Sequence, residues 1–334
     1  MNALQVLPNP NNDGVTDFKT YLENSLRNPF TLNLEGRSLL EVVNTCAMVK
    51  SKTHPGYKEN LAGLIHNLQI LEGMYHTTLQ PIQVTDIFWN YFSLFCKQRG
   101  LKASTIHTLC CQLRSILSWA IKHNAAVSPS YADIDIRRPK SQEIALTADE
   151  VSRITYFDID RFYADRRSDY RKTMHRVRDM FVLSCNLFQR HSDMVRIDAG
   201  CFNRNIFRIL QQKTGNLAVV DIDRFSIEPK TTYRILEKYG YKAPYTATIG
   251  NYNYYLHQLM RDVGLDSPVR IEERNADGLI VSVNVPKWKL ISSHTARRTA
   301  ITVNVLRGQN LYDIKKCSGH TDLTSLDNYV CENE

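Results

Sequence analysis

The chain has 334 residues, of which 43% are hydrophobic and 23% charged, and a formal net charge of +8. These values are typical of a globular protein with enough chain for two cores, and the positive charge favours a polyanionic partner. No Cys-x-x-Cys pair, signal peptide, Walker loop, cluster of acidic metal ligands or membrane-length apolar run occurs, which argues against a zinc ribbon, a redox motif and a membrane protein.

Residues 1–36 differ in composition from the rest of the chain. They hold three prolines, many asparagines, and four acidic against two basic side chains. The prolines predict mostly irregular backbone, and a short helix fits only residues 17–27. The negative balance argues against this segment as a main surface for a polyanion.

Residues 37–125 carry helical patterns throughout. Ser38 and Glu41 have the spacing of a capping box, which predicts a helix start. Apolar residues then recur at helical spacing in three further stretches. The patterns together predict a compact four-helix domain, with helices near 38–49, 61–71, 86–98 and 102–122.

Basic side chains lie in the loops and on one helix face of this domain. Eight are candidates for phosphate contacts: Lys50, Lys52, Lys58, Lys97, Arg99, Lys102, Arg114 and Lys122. An ordinary solvated surface explains the same residues about equally well. Residues 126–146 read as an extended, proline-marked linker, in which Arg137 and Arg138 are further candidates.

A second, mainly helical domain is expected over residues 147–334, beginning at a capping box formed by Thr147 and Glu150. Period-two patterns predict two strands, joined by a turn at Thr214-Gly215-Asn216 that places Lys213 at a hairpin tip. The remaining elements are an apolar helix at 179–188, strands at 205–213 and 217–222, helices at 228–240 and 251–263, and a loop or small hairpin at 268–290.

The stretch from Ser292 to Val330 concentrates reactive groups. His294 and Arg297 are three residues apart, so on a helix they share a face. His320 follows Gly319, in what reads as a turn opening the next helix, and Tyr329 comes nine positions later. An arginine fork matches two phosphate oxygens, and a tyrosine beside imidazoles is a candidate nucleophile. Each motif alone is explained equally well by ordinary structure, such as a solvated helix face, a helix start or a packed tyrosine ring. The whole set in this order and at these spacings is unlikely to arise by chance.

The ordered set resembles the C-terminal signature of tyrosine recombinases, the phage-integrase family. Its residue sequence is most similar to that of mobile-element integrases of Bacteroides-type bacteria. The resemblance adds Arg190, three residues before the acidic Asp193, and the hairpin Lys213. The family usually has Thr-Gly two residues before that arginine, where this chain has Leu187-Phe188.

The resemblance implies a mainly α fold. It comprises a four-helix, SAM-like core-binding domain over residues 37–125, and a helical catalytic domain with a small antiparallel sheet, known as the DNA breaking-rejoining fold. Residues 1–36 are then either part of an arm-binding region or a tail.

The resemblance also implies catalytic roles. Tyr329 would attack a phosphodiester and form a 3′-phosphotyrosyl link, while Arg190 and Arg297 hold the non-bridging oxygens. Lys213 would protonate the leaving oxygen. Among the other site residues, His294 would assist proton transfer at the tyrosine, His320 would bind the phosphate, and Asp193 would brace Arg190. No cofactor or metal is implied. Arg298 has two alternative roles, a contact with DNA or a helix cap.

The implied partners are double-stranded DNA with specific recombination sites, a homotetramer on that DNA, and a DNA-bending or directionality protein. We expect a cytoplasmic, nucleoid-associated bacterial protein that has no membrane partner. Only five residues follow Tyr329, so either assembly uses a surface other than a long exchanged tail or the chain is cut short. The alternatives are a DNA invertase or chromosomal recombinase, a catalytically silent DNA-binding protein, and a type IB topoisomerase.

Overall fold

The computed structural model describes residues 32–134, 143–274, 280–323 and 326. The chain divides into two compact units, Met1–Lys140 and Ser141–Glu334. The division falls within the predicted linker. The candidate residues Arg137, Arg138 and Tyr329 lie outside the described residues, as does the segment before residue 32.

In its described residues, 32–134, the first unit contains four α-helices, as predicted. Ser38 caps the first helix, and its capping box with Glu41 is formed. The apolar stripes meet in one core, in which Phe92, Leu113 and Ile116 are fully buried. The helices are α1 (Leu39–Ser51), α2 (Tyr57–Tyr75), α3 (Asp86–Gln98) and α4 (Ala103–Ile121).

The second unit is mainly helical in its described residues. Its core is built around one long helix whose inner side is buried from Met174 to Leu187. The sequence predicted only the second half of this helix, because its first two turns are largely charged or polar and show no apolar stripe. The helices are α5 (Ala148–Thr155), α6 (Ile159–Phe162), α7 (Ser168–Leu187), α8 (His191–Met194), α9 (Ile222–Phe225), α10 (Pro229–Lys238), α11 (Ile249–Asp262), α12 (Ser293–Leu306) and α13 (Leu311–Ser318).

A small antiparallel sheet lies in this unit, with strand order β1-β2-β3. β1 is Phe202–Asn203, β2 is Ile206–Leu210 and β3 is Leu217–Asp221. Leu210 pairs with Leu217, so β2 ends before the predicted strand end at residue 213, and residues 211–216 form the turn. Within the turn, Gly215 has a φ of 66°, a left-handed backbone that suits glycine.

A second hairpin settles the alternative left open for residues 268–290. β4 (Pro268–Arg274) pairs with β5 (Ile280–Pro286) in register from Pro268↔Pro286 to Arg274↔Ile280. The hairpin stands between α11 and α12 in the chain. Among the described residues, no helix has both the length and the apolar composition that crossing a bilayer requires.

Asp179 on α7 ties the long helix to α10. Its carboxylate is 3% exposed, accepts hydrogen bonds from Lys238 Nζ (2.7 Å) and Tyr239 Oη (2.9 Å), and pairs with Arg178 (2.9 Å). Burial alone would raise the pKa of Asp179, but Arg178 and Lys238 outweigh it and hold that pKa below its usual value.

We therefore expect Asp179→Ala to lower the free energy of unfolding by about 3 kcal/mol, because it removes three contacts at once and takes the carboxylate partner from the half-buried Arg178 guanidinium. Urea unfolding is the measurement. Asp160→Ala is the control: its carboxylate is 70% exposed and pairs with His175 and Arg171, and its loss should cost less than about 1 kcal/mol. Equal costs for the two variants would contradict the assignment.

Candidate active site

Helix α12 carries His294 and Arg297 on one face, as their spacing predicted. Ser292 caps the helix by accepting the His294 N–H (3.3 Å), and Thr295 completes a capping box. Ser293 N–H also donates to Asn253 Oδ1 on α11 (2.9 Å). The first turn is therefore held at both its cap and its neighbouring helix, which fixes the direction of the two side chains.

Arg297 is a fully buried side chain, with 0% exposure. Its Nη1 donates to the carbonyl of Phe188 (3.0 Å), and its Nη2 donates to His320 Nε2 (3.1 Å). Phe188 ends α7 with a φ of 63°. Glycine usually occupies such a left-handed backbone. The conformation therefore costs free energy for phenylalanine, and burial of its ring in the core offsets that cost.

His320 follows α13, whose end is marked by Gly319 with a φ of 66°; the glycine thus closes the preceding helix. Arg297 can only donate, so His320 Nε2 must accept and carries no proton. The other nitrogen, Nδ1, lies 2.8 Å from Ser318 Oγ, and that hydroxyl donates to the carbonyl of Lys315 (3.2 Å). These contacts assign His320 as the neutral Nδ1–H tautomer.

Arg190 stands at the junction between α7 and α8, where it is the residue before His191. Its side chain is half-buried, and its Nη1 donates to Gln211 Oε1 (3.0 Å). That bond occupies one of five N–H donors, and the remaining four make no hydrogen bond within the described part of the chain. Gln211 thus holds the Arg190 guanidinium through one of its nitrogens.

Lys213 lies in the turn after β2, is exposed, and makes no hydrogen bond or ion pair with the described residues. Asp193, which was expected to brace Arg190, does something else. Its buried Oδ1 accepts the Gln212 N–H (2.8 Å) and contacts Arg196 (3.5 Å). In the described residues Asp193 thus anchors the backbone just before Lys213, whereas Gln211 holds the Arg190 guanidinium.

Arg298 forms an ion pair with Glu143. From the sequence, it was a candidate for either a DNA contact or a helix cap. Nearby, the Leu146 N–H donates to Thr299 Oγ1 (2.9 Å). Residues 143–146 are thereby attached to α12, the helix that carries His294 and Arg297.

The charged groups around His294 and His320 lower the pKa of both imidazoles. Burial, followed by the charges of Arg298, Arg297, Arg190 and Lys213, lowers the pKa of His294 to about 4. Burial together with Arg297 and Arg190 lowers the pKa of His320 to about 3. A pocket that keeps two imidazoles neutral beside three arginines is one that an anion would stabilise.

A pH dependence of stability follows from these shifts. Both folded-state pKa values lie below that of an unfolded histidine, about 6.5. Between about 4 and 6.5 the unfolded chain therefore binds protons that the folded chain does not, and stability falls as the pH falls through this range. We expect urea unfolding at pH 7 and pH 5 to show that loss, and a His294→Gln/His320→Gln variant to reduce it. An unchanged loss in the variant would contradict the shifts.

The basic candidates of the first unit are on its surface. Seven are exposed: Lys52, Lys58, Lys97, Arg99, Lys102, Arg114 and Lys122. Lys50 is half-buried and lies over the Tyr57 ring, 5.3 Å from its centroid. Arg99 also hydrogen-bonds the buried side chain of Asn67, so it has a structural role in addition to any phosphate contact.

No metal centre is apparent in the described ranges, where no group of three or more His, Cys, Asp and Glu side chains is placed to hold an ion. The sequence missed Gln189, Gln211 and Ser318, which hold the catalytic candidates in place. Gln211 stands two residues before Lys213, but no periodicity marks a buried amide at a strand end.

The sequence matches no protein-family model and no curated protein. Solved structures do resemble the chain. A lambda integrase dimer bound to a COC′ core site aligns with a TM-score of 0.62 and 15% identity over 96% of this chain and 82% of that one. A lambda integrase tetramer bound to a Holliday junction aligns with a TM-score of 0.62, 14% identity and 96% and 88% coverage.

The Tn1549 transposon integrase in complex with a circular intermediate DNA aligns with a TM-score of 0.59 and 15% identity, over 89% of this chain and 96% of that one. At such identities the likeness is one of fold. Both units contribute to it, because the alignments cover nearly the whole chain. The chain has the fold of these integrases.

Proposed function

We propose that the protein is a site-specific tyrosine recombinase that cuts and rejoins duplex DNA. The observation that carries the proposal is the meeting of Arg190, His294, Arg297 and His320 from three separate chain segments: Arg297 donates to His320, and the arginines lower the pKa of both histidines. Lys213 adds its charge at the same place. The integrases that share the fold were solved on DNA, which is the partner that a cationic site on a basic protein suits.

The proposed reaction begins with attack by the Tyr329 oxygen on a DNA phosphorus. A bond from tyrosine to the 3′-phosphate forms, the bond to the 5′-oxygen breaks, and that oxygen takes a proton from Lys213. Arg190 and Arg297 stabilise the charge that builds on the non-bridging oxygens. His294 assists the proton that leaves the tyrosine. A 5′-hydroxyl of the second strand then reverses the step.

His320 has to change state in this scheme. Its Nε2 accepts from Arg297, so it can donate to a phosphate oxygen only after gaining a proton there. An arriving phosphate would raise the pKa of His320 because its negative charge offsets the neighbouring arginines. The covalent intermediate conserves the phosphate bond energy, so the scheme needs no ATP, and the two guanidinium groups supply the charge that a metal would supply elsewhere.

We further propose that residues 37–125 grip DNA through the basic candidates, followed by a linker over 126–146 and a catalytic domain over 147–334. Phosphate contacts of this kind make affinity fall with salt. The biological role we favour is integration or excision of a mobile element in a bacterial cytoplasm. A tetramer on two sites, with a bending or directionality protein, completes the proposal.

The test is covalent capture. The protein is mixed in EDTA with sheared DNA that includes the flanks of its own gene, and denatured DNA that remains bound to protein is sequenced at its ends. We expect adducts at a few discrete sites, absent with Tyr329→Phe. Scattered adducts would indicate a topoisomerase, and DNA binding without adducts would indicate a silent DNA-binding protein.

A further inference from the structure

Gln211 is a buried amide at the centre of the candidate site. Its side chain is 1% exposed and follows the last residue of β2. Oε1 accepts from Arg190 Nη1 (3.0 Å) and from Thr214 Oγ1 (3.0 Å). Nε2 donates to Gln189 Oε1 (2.8 Å) and to the Ser318 carbonyl (2.8 Å). Both donors and both lone pairs of the amide are therefore used.

A second buried amide extends the network. Gln189 is 0% exposed, and its Nε2 donates to the carbonyls of Leu187 (2.7 Å) and Cys317 (3.0 Å). The two glutamines thus join the end of α7, the end of β2 and the end of α13. Asn216 Nδ2 adds a parallel link across the turn to the Gly319 carbonyl (3.1 Å).

The direction of the Gln211 amide is set by its partners. If the amide were reversed, its NH₂ would face the Arg190 guanidinium, donor against donor. Its oxygen would then face Gln189 Oε1 and the Ser318 carbonyl, acceptor against acceptor. Buried polar networks stabilise only when every member is satisfied, so one orientation is selected. Neither a carboxylate nor an apolar side chain reproduces this arrangement.

Gly319 makes room for the amide. A Cβ at this position would lie 2.6 Å from Gln211 Oε1 and 2.8 Å from Nε2, closer than atoms can pack. The glycine before His320 is therefore required twice, by its left-handed φ and by the side chain of Gln211. The Gly-His segment and the Lys213 turn are in direct contact through this amide.

Each partner of Gln211 supports a different group of the site. Arg190 is bound directly, Thr214 neighbours Lys213, and Ser318 holds His320 through its hydroxyl. We propose that Gln211 is a positioning residue that sets Arg190, the Lys213 turn and the His320 segment relative to one another before DNA binds. The inference rests on the proposed recombinase function for its catalytic consequence. Its structural part, the hold on Arg190, can be tested without cleavage.

The test compares Gln211→Met with Gln212→Met, a matched control in the same turn whose wild-type side chain is exposed. The first readout is the ¹⁵N NMR signal of the Arg190 side chain, identified by its loss in Arg190→Lys. We expect Gln211→Met to alter the linewidth and shift of this signal, because the guanidinium loses its acceptor. We expect Gln212→Met to leave the signal unchanged.

The second readout is the single-turnover rate of covalent complex formation at saturating DNA. Gln211→Met should lower it by roughly 100-fold with DNA affinity unchanged, since a displacement of about 1 Å in such sites has an effect of that size. Gln211→Glu is a second variant, in case the first does not fold. It keeps an oxygen towards Arg190 and places another against the Ser318 carbonyl, so it should retain the Arg190 signal and still slow cleavage.

The outcomes separate the two proposals. An unchanged Arg190 signal in Gln211→Met overturns the inference, whether or not the wild-type protein cleaves DNA. A changed signal beside a wild-type protein that forms no covalent complex supports the positioning role and refutes the recombinase. Equal rate losses in Gln211→Met and Gln212→Met would also overturn the inference.

Discussion

Replacing Arg297 by alanine is expected to lower the rate of covalent complex formation by roughly 100- to 1,000-fold or more, the usual loss when one preorganised donor to a developing charge is removed. The same change should also destabilise the second unit. Arg297 is fully buried, and without it the Phe188 carbonyl and His320 Nε2 lose their donors in a place that water does not reach.

Arg190→Ala is the informative comparison. Arg190 is half-buried and makes one hydrogen bond with the described residues, so its loss should lower cleavage by a similar factor with a smaller loss of stability. Single-turnover cleavage and urea unfolding measure the two effects separately. Cleavage close to that of the wild-type protein in either variant would remove that arginine from the proposed mechanism.

The helices were predictable where local chemistry marks their ends. Ser38 with Glu41, and Thr147 with Glu150, are capping pairs visible in the sequence, and both capping boxes are formed. The start of α7 was missed because Ser168 begins a charged stretch that carries no apolar stripe. Strand β2 was predicted too long because Gln211 continues the buried alternation of Phe207 and Ile209, although the paired ladder ends at Leu210.

The candidate site was predictable only as a set of reactive side chains. Spacing placed His294 and Arg297 on one face, as observed. Nothing in the sequence showed that Arg297 would be fully buried against His320, or that Gln211 rather than Asp193 would hold Arg190. Such contacts join residues far apart in the chain, and buried amides follow no periodic pattern, so the three-dimensional fold is needed to find them.

The loss of cleavage in Lys213→Ala should depend on the leaving atom. If Lys213 protonates the departing 5′-oxygen, its removal should slow cleavage of ordinary DNA by roughly 100- to 10,000-fold, the range for general acid catalysis. Replacing that bridging oxygen by sulfur creates a leaving group whose conjugate acid has a pKa near 8.5, about that of a cysteine thiol. Sulfur therefore departs without a proton, and cleavage by the variant should recover.

The position of Lys213 suits this test, since the side chain is exposed in the turn and has no partner among the described residues that its loss would strand. Arg190→Ala is the matched control: the arginine acts on non-bridging oxygens, so sulfur at the bridging position should not restore its activity. Recovery in both variants would indicate a general effect of sulfur. Recovery in neither would assign Lys213 to DNA binding, and the proton for the leaving oxygen would then have to come from another group near the phosphate.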